Sequence, residues 1–105
     1  MVKYLIRFDE QEWDTTGLGV RSKEYISGNQ RIRLVEFSNG FVEPDWCIKG
    51  HMGYVIEGTF SIDFNGTISR VNQGDILFIP EGKENKHKAF LGTGERVLLV
   101  LFEKV

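Results

Sequence analysis

The stretch TFSIDFNGTISRVN, residues 59–72, constrains the fold more than any other part of the chain. Phe60, Ile62 and Phe64 alternate with Ser61 and Asp63, the period-2 pattern of a strand with one buried face. The alternation then meets Asn65-Gly66, and a second β-rich run follows. Asn-Gly between two such runs signals a tight hairpin, because both turn residues take positive φ. The flanking sequence agrees. KYLIRF (3–8), VRSKEYIS (20–27), RIRLVEF (31–37), DILFIP (75–80), NKHKAFL (85–91) and RVLLVLF (96–102) are rich in β-branched and aromatic residues, with SGNQ and SNG as turns between some of them. No segment carries a convincing helical period. FDEQEWDTTG can form one helical turn, which Thr15, Thr16, Gly17 and Gly19 then end.

Many short strands at a spacing of about 8–12 residues predict an all-β sandwich or barrel. No repeat, low-complexity tract or linker interrupts the 105 residues, so residues 1–105 are expected to form one domain. The runs at 75–79 and 96–102 are nearly continuous in apolar residues, as strands covered on both faces would be. Tyr54, Phe60, Phe64, Phe78, Phe90 and Phe102 are accordingly assigned to packing, and Trp13 to the cover of one barrel end. A barrel of this size has room inside for side chains or one small ligand.

Charge and composition exclude several function classes. A formal net charge of -2 with interspersed signs offers no broad basic field for nucleic acid. Lys83, Lys86 and Lys88 are diluted by Glu81 and Glu84 and read as a solvated turn. No apolar run approaches the ~20 residues of a membrane span, and the N-terminus lacks a secretory pattern, so a cytoplasmic location is expected. The lone Cys47 has no internal disulfide partner, which leaves a small buried hydrophobe, an exposed thiol or a metal ligand.

Cys47 belongs to PDWCIKGHMGYVIEG (44–58), which brings an acid, a thiol and an imidazole within seven positions. From residue 40 to residue 89 the chain resembles the cupins, single-domain β-barrels of the jelly-roll type, also described as a double-stranded β-helix. The first motif of that family falls at about 40–58 and the second at about 74–89. Gly58, Gly74, Pro80 and Gly82 match the framework positions, with Gly40 one residue too close to the ligand positions. Gly58 is expected where a strand reverses, and Pro80-Glu81-Gly82 where one strand ends before the next begins. The ligand positions depart from the family pattern. Asp45 and Cys47 stand at its two histidines, His51 at its glutamate, Asn85 at its second-motif histidine and Ala89 at its asparagine.

The resemblance implies a barrel interior onto which Asp45 and Cys47 project from one strand face and His51 from the neighbouring strand. Asn85 and His87 share a face of a later strand. Either could fill the last position, His87 if the turn after Pro80 is two residues longer than is usual in the family. Cys47, His51 and His87, with Asp45 or water, would form a mixed thiolate–imidazole site suited to zinc, iron(II), nickel or copper rather than magnesium or calcium. Three protein ligands leave a position for water or a substrate. A metal-free module is the alternative, binding a small polar or aromatic molecule through Trp46, Tyr54, His51, Asn85 and His87. The parity of Trp46, opposite to that of Asp45 and Cys47, instead favours packing outside its strand or in an interface. A further alternative makes Cys47 a nucleophile, its thiolate favoured by His51 or Lys49. The resemblance also implies a homodimer paired through the N-terminal edge YLIRF.

Overall fold

The computed structural model describes residues 4–105. After a 3₁₀ turn at Phe8–Glu10 come β1 (Asp14–Gly17), β2 (Val20–Ser27), β3 (Gln30–Ser38) and the long β4 (His51–Asp63). β5 (Ile68–Asn72), β6 (Ile76–Ile79), a second 3₁₀ turn at Lys83–Asn85, β7 (Lys88–Phe90) and β8 (Arg96–Lys104) complete the chain. All strand pairings are antiparallel, in the order β1-β2-β3-β8-β4-β5, with β6 and β7 also on β4. β4 is the pivot: its first half pairs with β6 and β8, its second half with β5 and β7. One strand serving two halves curls the sheet around an interior, and the core fills it. Phe60, Val55, Val35, Leu99 and Val97 are the most deeply buried side chains. No helix among the described residues is long and apolar enough to cross a membrane.

The hairpin forms as its residues dictate. Asn65 and Gly66 take φ of 56° and 111° between β4 and β5, and the Gly66 N–H donates to Asp63 Oδ1 at 2.7 Å. The Pro80-Glu81-Gly82 turn ends β6. Gly58 behaves differently from expectation: β4 runs through it without reversing. Its φ of 88° follows a register irregularity between Val55 and Glu57, and a Cβ there would collide with the Arg96 carbonyl across the β4–β8 pair. Glycine is required for close approach at a bulge, not for a turn.

Four further expectations are corrected. Of the KYLIRF strand, Lys3 lies outside the described residues, and residues 5–10 hold no strand: Leu5–Arg7 are irregular and Phe8–Glu10 form the 3₁₀ turn. The helical turn expected over 8–17 is only that 3₁₀ turn, followed by β1. Trp13 packs under the Arg21 guanidinium and Lys23 ammonium, 4.3 and 4.7 Å from its ring, so it covers part of β2. Nor are the apolar runs covered on both faces. Along β8, Val97, Leu99 and Leu101 point inward while Phe102 is exposed, and Phe78 and Tyr54 are likewise on the outer face.

Candidate metal centre

The loop from Asn39 to Gly50 runs beside β7, and backbone pairing fixes its position. The Cys47 N–H donates to the His87 carbonyl at 2.9 Å and the His87 N–H returns to the Cys47 carbonyl at 3.0 Å. His51 is the first residue of β4, opposite Ile79 of β6. His87 directly precedes β7, just after the 3₁₀ turn at Lys83–Asn85, and is buried. Three chain segments therefore meet at one point.

There, Cys47 Sγ lies 3.3 Å from His51 Nε2. The sulfur and one ring nitrogen from each of His51 and His87 all fall within 4.8 Å of one another. The imidazoles meet edge to face, 5.2 Å between centroids, and Phe64 borders His87. His87 is buried and its Nδ1 sits 3.0 Å from the Asn85 carbonyl oxygen, the position of a donated N–H, which turns Nε2 toward the cluster. Donors at ~2.0–2.3 Å from one tetrahedral ion stand roughly 3–4 Å apart, so this set needs only slight contraction to share an ion.

Behind His51 lies a residue that the sequence reading missed. Glu103 of β8, with a side chain 1% exposed, places Oε2 at 2.8 Å from His51 Nδ1. The contact is a close charge pairing outside linear hydrogen-bond geometry. Arg33 of β3 donates to both carboxylate oxygens, at 2.5 Å from Nε and 3.0 Å from its terminal nitrogen, and Arg31 Nε stands 3.3 Å away. Glu103 continues the inward stripe of Val97, Leu99 and Leu101, and a charge on such a stripe was the available signal.

These contacts set the protonation states. The contacts of His51 and then His87 bring the Cys47 thiol down to about 6 against the opposing effect of burial. Burial disfavours the His51 cation, yet Cys47 and Glu103 outweigh it and raise His51 to about 9. Burial opposes the Glu103 carboxylate, and His51 and Arg33 overcome it and hold the group at about 2. Burial also opposes the His87 cation, but Cys47 and the Asn85 carbonyl push it above the ordinary histidine value. Without a metal the cluster is a thiolate–imidazolium pair backed by a carboxylate and two arginines.

The remaining expected site residues are not in the cluster. Asp45 is exposed and does not join Cys47, His51 and His87, because 45–47 is loop and not the strand whose parity would align them. Tyr54 lies on the outer wall, since β4 alternates inward at His51, Gly53 and Val55. Trp46 stands at the surface beneath Lys86 and Lys88, 5.0 and 4.9 Å from its ring. Asn85 contributes its backbone carbonyl to His87. An opening of about 420 Å³ borders Cys47 and His51, walled by Arg31, Arg33, Trp46 and Lys49.

No protein-family model matches the chain, and no curated protein does. Solved structures do. The polyketide cyclase RemF from Streptomyces resistomycificus superposes with a TM-score of 0.83 at 18% identity, covering 99% of this chain and 80% of that one. An RmlC-like cupin from Shewanella frigidimarina gives 0.76 at 19% identity, over 98% and 91% of the two chains. A sugar phosphate isomerase from a cupin superfamily, from Silicibacter pomeroyi, gives 0.77 at 14% identity, over 96% and 75%. At these identities the likeness establishes the fold.

Proposed function

With the cupin fold as premise, we propose that Cys47, His51 and His87 hold one divalent transition ion at the mouth of the barrel, where it meets a small molecule. The convergence of a thiol and two imidazoles within 4.8 Å carries this reading. One soft and two borderline donors suit zinc, iron(II), nickel or copper. When bound, such an ion polarises a carbonyl or acidifies a water.

The chain's own groups prepare that site. His87 is oriented through Asn85 and His51 through Glu103, so each offers Nε2. Cys47 is already a thiolate near neutrality, so ion binding displaces protons chiefly from the imidazoles. Asp45 and Asn85 remain at the margin as auxiliary groups. The charged and aromatic walls suit a small polar molecule, and small-molecule chemistry is what the names of the cyclase and the isomerase describe for those proteins. A reducing cytoplasm is the compartment in which a free thiol of this kind persists.

Elemental analysis of protein purified without a histidine tag tests the reading. Near-stoichiometric metal that falls in Cys47→Ser and His51→Ala is expected. Protein that stays metal-free when offered zinc, iron(II), copper and nickel overturns it, and thermal stabilisation by a small organic compound would then favour a metal-free binding module.

One geometric feature supports a second reading. Sulfur, imidazole and carboxylate stand in line through Cys47, His51 and Glu103, the arrangement of a nucleophile, its base and the group that orients the base. Alkylation of Cys47 that saturating zinc fails to slow would favour this reading.

A further inference from the structure

A second cavity, of about 880 Å³, shares four residues with the opening beside the candidate metal ligands: Arg31, Lys49, His51 and Glu103 border both. Strand register gives this end of the sheet two chemistries. Phe78, Met52, Phe102, Ile32 and Tyr25 pair in turn across β6, β4, β8, β3 and β2, a single apolar row on the outer face. The adjoining row, one residue along each strand, takes the opposite face and holds His51, Glu103 and Arg31. β4 begins at His51 and β6 ends at Ile79, so the sheet stops beside both rows. The cavity has the size of a small-ligand cleft, about 300–1,000 Å³. Phe78, Met52 and Phe102 are 43–74% exposed, which leaves apolar surface for a ligand to bury.

The charged part of the cavity wall favours an anion. Arg31, Lys49 and Lys104 border it against Glu81 and Glu103, and Glu103 is already held by Arg33 and His51. Arg31 is not held in the same way. Its Nε is buried with no hydrogen-bond partner among the described residues, and its ion pairs to Glu103 and Glu24 stand at 3.3 and 3.8 Å. Arg33, two positions along β3, donates to both Glu103 oxygens. Of two arginines beside one carboxylate, Arg33 satisfies it and Arg31 keeps donors for another acceptor. The Arg31 side chain remains 20% exposed, so a ligand can reach it. A guanidinium presents its donors in a planar fork, and a carboxylate is the acceptor that matches the fork with two oxygens.

We infer that the small molecule taken by this site is an amphipathic carboxylate, its carboxylate paired with Arg31 and its apolar body in the groove over Phe102, Met52 and Phe78. The inference rests on the reading that a small molecule meets the site. Its test uses the full untagged chain with a chelator present, so its failure leaves the metal assignment to the elemental analysis. NMR titration with octanoate, 1-octanol and acetate provides the readout. Octanoate should bind saturably and shift the resonances of Met52, Phe102 and the Arg31 Nε–H. 1-Octanol, which lacks the charge, and acetate, which lacks the apolar body, should each bind at least roughly tenfold more weakly. Arg31→Gln should weaken octanoate about tenfold and leave 1-octanol unchanged, whereas Phe78→Ser should weaken both. Phe78 is 74% exposed on the short strand β6, so that variant and the ligand comparison keep the test readable if Arg31→Gln misfolds. No saturable octanoate binding up to about 10 mM, 1-octanol bound as tightly as octanoate, or octanoate shifts confined to residues outside the cavity overturns the inference.

Discussion

Replacing Glu103 with glutamine removes one charge from the least accessible polar group of the candidate site and leaves its shape in place. The carboxylate pairs with His51, Arg33 and Arg31 and is 1% exposed, so solvent does little to screen it. Its fall from 4.5 to about 2 on folding corresponds to about 3 kcal/mol. Loss of one partner from a buried ion pair costs about 3–5 kcal/mol, and the arginine side chains, 20% and 26% exposed, keep enough hydration to favour the lower figure. For a chain of this size that is a drop of roughly 10–20 °C in Tm. The pH dependence has a definite sign. Glu103 is depressed, so its contribution is present above 4.5 and lost as pH falls toward 2; His51 is raised, so its contribution is present below 6.5 and lost as pH rises through about 9. Thermal melts of metal-free wild type and Glu103→Gln should therefore differ most between pH 4.5 and 6.5, converge as pH falls toward 2, and keep a smaller difference above about 9, where Arg33 still pairs with the carboxylate. Zinc affinity, measured by competition with a chelator, should fall ~10–100-fold because His51 loses the group that orients it. A variant within about 1 kcal/mol of wild type across that window, with unchanged zinc affinity, would refute the assigned role of Glu103.

Three other outcomes follow from the same geometry. Alkylation of Cys47 in metal-free protein should have its midpoint at about pH 6, the rate falling as acid protonates the thiolate; a midpoint near the ordinary thiol value of 9.0 would contradict the Cys47–His51 pairing. Asp45→Ala should retain the metal content of wild type by elemental analysis, because Asp45 stands outside the cluster, and a loss comparable to His87→Ala would restore Asp45 as a ligand. Gly58→Ala should lose at least about 2 kcal/mol in urea unfolding, combining a positive-φ penalty with the clash at Arg96. Gly28→Ala, also at positive φ but facing open space, should lose less, and equal losses would show that the clash contributes nothing.

The fold was legible wherever local chemistry decided it. VRSKEYIS gives β2 with the same bounds, and Asn65-Gly66 gives the hairpin, because alternation and turn residues act within a few positions. KYLIRF has the same alternation as a strand, but pairing requires a neighbour, and periodicity cannot supply one. DTTG, the reverse case, has no apolar signal and becomes β1 only because β2 offers it a ladder. Apolar runs were read as covered on both faces, although Ile76, Phe78 and Phe102 show that hydrophobicity reports a preference for burial and not which surface satisfies it. In the candidate site, Cys47, His51 and His87 were identifiable as a possible cluster beside framework glycines and a proline. Asp45 was included through strand parity that a loop does not obey. Glu103 was missed because it lies 52 positions from His51, and only the β4–β8 pairing brings the two strands together.

The central claim concerns one ion and three named donors, and X-ray absorption at the zinc edge of reconstituted protein addresses it most directly. The expected first shell contains one sulfur at ~2.3 Å and two imidazole nitrogens at ~2.0–2.1 Å, with the sulfur absent in Cys47→Ser. A wild-type shell of nitrogen and oxygen alone, or zinc bound outside the barrel in a shell unaffected by Cys47→Ser, would contradict it.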